Sequence, residues 1–410
     1  MKKIRRLRSS GVSLAFAAVA AMTACDTSVT NPGPVSDDQL DKEVALPAVV
    51  NGMARALARA LNYIAYTGGG ASREIVGSSN GGFFGITLRQ QQGILDPAID
   101  ETNDHWLYAQ QARWVAEDGV RRIRATLGDR FAGSVLAAQA LVHVGYANRL
   151  LGENMCVGVI DSGPKEPRTV YFERAQSAFT EAIGVARTAS DTQLESAARA
   201  GRAAIRVWLG DWAGAVSDAS LVPLGFVYQA HYSAIELDQY NRIYWANANQ
   251  PYRNHSVIGT FVELYYQASG DPRTPWKKNP AIPNGTSNVP WYFETKFDRR
   301  DSPINLASGR EMRLIIAESL LQSGDWQASL AEMNQLRISI GVAPWTASGA
   351  DETWAVLRRE RGIELWLEGR RVGDLYRWYA AGRPGDAADT IGRHPCFPIG
   401  QTELASNPNL

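Results

Sequence analysis

The chain has 410 residues, 45% of them hydrophobic and 20% charged, with 42 basic against 42 acidic side chains, 12 Trp and 3 Cys. That apolar content excludes a wholly disordered chain, and the length allows two or three average domains or one large helical array. Five basic residues, Lys2, Lys3, Arg5, Arg6 and Arg8, sit at the very front, so the body behind them is mildly acidic and argues against a nucleic-acid binder.

Residues 1–24 read as an export signal: a cationic start, then an Ala-rich apolar run over 12–22 that is too short to span a bilayer comfortably. Met22-Thr23-Ala24-Cys25 resembles a bacterial lipobox, which makes Cys25 the expected lipidation site; the alternative is a secreted protein with an incidental Cys. Residues 25–43 then form the lipidated Cys and a polar, Pro- and Gly-containing tether. Two or more acyl chains anchor stably where one holds marginally. No later run is apolar enough to read as a membrane span, so residues 44–410 are expected to hang from lipid as one helical domain. With Cys25 lipidated, Cys156 and Cys396 remain as an even pair in an exported setting, either bridged or two buried thiols.

Helical periodicity dominates the rest. Residues 44–66 carry Val49, Met53, Leu57 and Leu61 on one face, and Pro47 suits a helix start. Further helices are expected over 105–127, 131–151, 171–187, 194–209, 309–322, 326–340, 352–367 and 370–381. Most are joined by short polar breaks, as antiparallel pairs are. One motif recurs: Gly210-Asp211-Trp212-Ala213 returns as Gly324-Asp325-Trp326-Gln327. In each, Gly ends one helix and Asp caps the next, with Trp at the junction. Together with Ala175, Phe179 and Ala182, this resembles tetratricopeptide helix hairpins. The expected fold class is mainly α, with tetratricopeptide-like hairpins and long irregular aromatic-rich loops. Two stretches depart from helix. Residues 67–97 are Gly-rich, and residues 226–297 crowd 15 aromatic side chains into 72 positions, with Pro clustered over 270–303.

Catalytic and metal signatures are missing. His105, His143, His231, His255 and His394 stand far apart, and no CxxC, HExxH or phosphate-cradling Gly motif occurs, so neither metal nor cofactor is expected. Gly77-Ser78-Ser79-Asn80-Gly81 fits G-x-S-x-G formally but lacks the strand-to-helix setting of a nucleophile elbow. Asp96, Asp100, Glu101 and Asp104 read as an acid-rich helix start. The charges of residues 358–371 read as structural, paired along one helix at i,i+3 and i,i+4.

Residues 357–378, LRRERGIELWLEGRRVGDLYRW, resemble the C-terminal signature of the SusD/RagB family, with Gly362 where its R-E-R-R run ends in Arg. Glu311 to Leu321 resembles the preceding R-x-A-E-x-L-L helix, and Phe397 to Leu404 with Asn407-Pro408-Asn409 resembles the closing segment. The resemblance implies a tetratricopeptide-like surface lipoprotein of the outer membrane. Such a protein serves as lid on a SusC-like, TonB-dependent transporter and delivers oligosaccharides, or in some cases peptides, to it. On that basis the expected function is non-catalytic nutrient binding. Sugar C–H faces would stack on Phe83, Phe84, Trp245, Tyr252, Trp276, Trp291 and Tyr292, with Asn80 and Arg89 as polar partners. A helical polysaccharide-degrading enzyme and a tetratricopeptide protein scaffold are the alternatives.

Overall fold

A computed structural model describes residues 36–77, 86–98, 100–248, 253–283, 290–383 and 396–410. Cys25 and the leader lie outside them. Residues 36–40 carry the one-turn helix Asp37–Leu40 and form a unit apart from the body that begins at Asp41.

The body opens with α1 (Leu46–Ala71), which has Pro47 in its first turn and Leu46, Val50, Met53, Leu57, Leu61 and Ile64 buried. By length and composition α1 could cross a membrane, but here its apolar face is core. It also runs five residues further than its periodicity suggests, straight through Gly68-Gly69-Gly70. The glycines are there for close approach: a Cβ at Gly70 would stand 2.6 Å from Ile86 Cγ2, and one at Gly69 would stand 3.0 Å from Leu367 Cδ2. A short strand β1 (Val76–Gly77) and the single turn α2 (Leu88–Gln91) follow.

Five helices then stack in sequence: α3 (Asp100–Leu127), α4 (Val135–Asn154), α5 (Thr169–Thr188), α6 (Thr192–Trp208) and α7 (Trp212–Ala219). Phe179 of α5 is the wedge between neighbours. Cβ atoms at Gly145 of α4 and Gly201 of α6 would approach its ring to 2.3 and 2.2 Å, so both positions must be bare for the three helices to close. The buried alanines 197, 198, 200, 203 and 204 allow the same tight contact along α6. Asp211 accepts a hydrogen bond from Gly214 N at 2.9 Å and Asp325 from Ala328 N at 3.0 Å, so both echoed Asp residues are true N-caps. Asp218 of α7, 1% exposed, gathers Arg199, Arg202 and Arg206 of α6 and ties the pair together.

The aromatic-rich stretch is more regular than its composition suggests. It contains β2 (Val227–Ala230), α8 (Arg242–Ala248), β3 (His255–Ser256), α9 (Phe261–Ser269) and a hairpin of β4 (Trp276–Pro283) with β5 (Pro290–Glu294). Pro283 and Pro290 face each other where the register shifts, away from the regular ladder, as residues without an N–H must. Strand β6 (Ile304–Ser308) pairs antiparallel with β2 and leads into α10 (Gly309–Gln322), capped by Ser308.

Helices α10, α11 (Trp326–Ile338), α12 (Ala350–Glu364) and α13 (Arg371–Ala380) enclose a second core of Leu314, Leu321, Met333, Leu336, Trp354, Leu357 and Trp378, with Trp326 half-buried against it. The chain closes with α14 (Gln401–Ser406). Cys156 and Cys396 are joined by a disulfide, Cα to Cα 5.1 Å. Beside it Phe397 exchanges backbone hydrogen bonds with Asn154 and Cys156, which fastens the C-terminal segment to the end of α4.

Candidate functional site

Short strands bring the aromatic loops together. Val76 and Gly77 of β1 pair with Ser256 and His255 of β3, and Val257 N and Ser256 Oγ both donate to Tyr292 O of β5 at 3.0 Å. The described ends of the segments around 78–85, 249–252 and 284–289 therefore share one neighbourhood. Gly77 is required there, because a Cβ would fall 2.3 Å from Ile86 O. His255 lies beneath, buried, within 3.2 Å of Tyr66 Oη, and burial pushes its imidazole down to about 3, so it is neutral at pH 7.

The hairpin sorts its aromatic residues onto two faces, because alternate strand residues point opposite ways. On one face Trp276 stacks on Tyr292 with ring centroids 5.4 Å apart, and Tyr266 packs against Trp276. On the other Trp291 stacks on Phe293 at 4.1 Å, and the Arg253 guanidinium covers Trp291 at 4.7 Å. Trp276 is 6% and Trp291 8% exposed, so the structure corrects the expectation of open platforms at these two positions. Their faces are spent on protein, and a sugar would have to displace a ring or a cation to reach them.

Tyr292 is half-buried, with Lys278 Nζ 5.2 Å from its ring centre. Trp245 of α8 is half-buried in a separate group with Tyr240 and Arg300, whose guanidinium lies over both rings. Arg89 on α2 is exposed and pairs with Asp96 at 3.4 Å. Asn80, Phe83, Phe84 and Tyr252 lie outside the described residues. Arg253, Lys278 and Arg300 escape sequence reasoning, since a cation opposite a ring across two strands or a loop has no fixed spacing in the chain.

The charged C-terminal signature is structural, but its partners are not those its spacing suggests. Arg361 pairs with Asp374, Arg377 with Glu318, Arg370 with Glu153, and Arg273 with both Glu360 and Glu364. Arg149 of α4 binds Glu153 and Glu311. Burial pushes the Glu311 carboxyl up, yet Arg149, Arg370 and Arg361 outweigh it and hold it below the usual carboxylate range. Such buried ion pairs fix which helices meet. Gly362, where the family run carries Arg, has a local reason: a Cβ there would stand 2.2 Å from Arg371 Nη1, which already fills the space.

Among solved structures, the fold is similar to a SusD superfamily protein from Bacteroides thetaiotaomicron VPI-5482 at a TM-score of 0.65 and 16% identity, over 89% of this chain and 98% of that one. It is similar to a SusD superfamily protein from Bacteroides vulgatus ATCC 8482 at 0.65 and 13%, over 90% and 98%. A SusD-like carbohydrate binding protein from the same organism matches at 0.61 and 17%, over 82% and 83%. No curated protein matches the sequence. The architecture is thus that of SusD-like proteins. The SusD family model matches residues 310–395, the stretch that holds α10 to α13.

Proposed function

We propose that this protein is a surface-exposed, lipid-anchored nutrient binder of the outer membrane that captures an oligosaccharide and passes it to a TonB-dependent transporter without cleaving it. The observation that carries the reading is the shared fold, over 82% of this chain, with a SusD-like carbohydrate binding protein. Lipid at Cys25 and the tether ahead of the body supply the anchor. The aromatic-rich loops supply the ligand contacts: Tyr292, Trp245 and Arg89, together with Asn80, Phe83, Phe84 and Tyr252. Trp276 and Trp291 act one step back: their stacks hold Tyr292 and the hairpin in place, so they position the site and do not touch the sugar.

The test is calorimetric titration of the purified protein with a glycan library, repeated on Tyr292→Ala and Trp245→Ala. Losing a stacking partner should weaken binding of the recognised glycan by roughly tenfold, an aromatic contact of about 1 kcal/mol with its buried area. Unchanged affinity in both variants would reject this placement of the site. Cleavage products in the titration cell would favour the enzyme alternative.

A further inference from the structure

Helices α1, α4 and α6 and strand β2 border a cleft of about 590 Å³, within the range of small-molecule sites. None of the ring-stack residues above lines it. Its wall holds His143, 4% exposed, whose Nε2 lies 3.3 Å from the Tyr228 hydroxyl and whose Nδ1 has no hydrogen-bond partner. Tyr228 is itself held by stacking on Tyr146 at 5.4 Å. One helical turn before His143, and so on the same face of α4, Gln139 is half-buried and makes no side-chain hydrogen bond among the described residues. Gln229 of β2 uses one amide N–H on Asn305 at 3.0 Å.

The charges at the mouth are paired with one another. Arg55 reaches Glu236 at 2.8 Å and Asp238 at 3.3 Å, which leaves no isolated charge to select an ion. Burial pushes the His143 imidazole down to about 4, so at pH 7 one ring nitrogen donates and the other accepts. Carboxamides likewise donate and accept from one planar group. A wall of such groups complements hydroxyls, which also do both. An unpartnered buried nitrogen costs about 1–3 kcal/mol, a cost that a ligand hydroxyl would remove.

We propose that this cleft is a second binding site, separate from the aromatic loops, for an uncharged polyhydroxylated ligand of small-saccharide size, with Gln139, Gln229 and the His143–Tyr228 pair as its hydrogen-bonding wall. The test uses the lipidated protein in a non-glycosidic detergent, labelled with ¹⁵N-histidine. It is titrated with maltose, cellobiose, xylobiose, mannobiose and myo-inositol to tens of millimolar, and with glucuronate as the anionic control. The site predicts that at least one neutral probe shifts the His143 imidazole resonances. Gln139→Ala, which keeps a good helix former at a position without internal hydrogen bonds, should weaken that probe about two- to tenfold, one hydrogen bond's worth, with no change in melting temperature. Tyr228→Phe should act in the same direction, whereas Tyr292→Ala should not alter this affinity. The proposal is overturned if no probe moves the His143 signals, if glucuronate binds in preference to the neutral probes, or if Gln139→Ala binds as wild type does. Binding lost in Tyr292→Ala but kept in Gln139→Ala would leave the loop site standing and remove this one.

Discussion

Glu74→Gln should remove one pH-dependent component of the stability. Glu74 is 1% exposed behind β1; its Oε1 accepts from Leu367 N at 2.9 Å and its Oε2 from Ser72 Oγ at 3.3 Å. Burial pushes its carboxyl from 4.5 up to about 7, against the pull of Arg371, the Leu367 N–H, Lys296 and the Ser72 hydroxyl. Between those two values the folded chain holds a proton that the unfolded chain has released, so stability falls as pH rises through the window. The contribution is fully present below about pH 4.5 and gone above about pH 7; its size is about 3 kcal/mol at 1.36 kcal/mol per unit. Gln keeps the acceptor oxygen and cannot ionise. At pH 8 the variant should therefore melt about 4 °C above wild type, taking about 2.1 cal/mol/K per residue for the unfolding entropy. At pH 4.5 the two should melt together. Calorimetric melting of both proteins across this range cancels every other titrating group in the difference. A difference that stays constant with pH, or a variant less stable at pH 8 than at pH 4.5 relative to wild type, would refute the reasoning.

Other perturbations test the scaffold. Cys156→Ser with Cys396→Ser releases a loop of 240 residues and should cost up to about 5 kcal/mol in the chain-entropy model; reductant should lower the melting temperature of wild type and leave the variant unmoved. Gly201→Ala drives a methyl to 2.2 Å from Phe179 Cζ and should cost about 1–3 kcal/mol by denaturant melting, and adding Phe179→Leu should recover part of that loss. Asp211→Ala and Asp325→Ala each remove an N-cap and should cost about 1 kcal/mol, additively, because they cap different hairpins.

Helices with both a period and a cap were legible from sequence. The Asp211 and Asp325 turns are the clearest case, since Gly, Asp and Trp announce the end of one helix and the start of the next. The C-terminal end of the long α1 is not legible, because three glycines in a row carry no local sign that neighbouring Leu367 and Ile86 will need the space. The β4–β5 hairpin was hidden by its prolines, whose tolerance depends on which edge of the ladder they meet. Arg358 to Arg371 offer tempting i,i+4 partners, yet Asp374 and Glu153 on other elements are where the guanidiniums of Arg361 and Arg370 go. In the loops, residue type pointed to the region but not to exposure. Trp276 and Tyr292 read alike in sequence, and only the strand register makes one a buried support and the other its half-open neighbour.

The proposed role is tested most directly by incubating the purified lipidated protein with a mixed pool of glycans, separating bound from free, and weighing what is retained by mass spectrometry. The account predicts saturable retention of a particular oligosaccharide, recovered at its original mass after release. Shortened fragments, or a pool that passes through with no glycan retained, would contradict it.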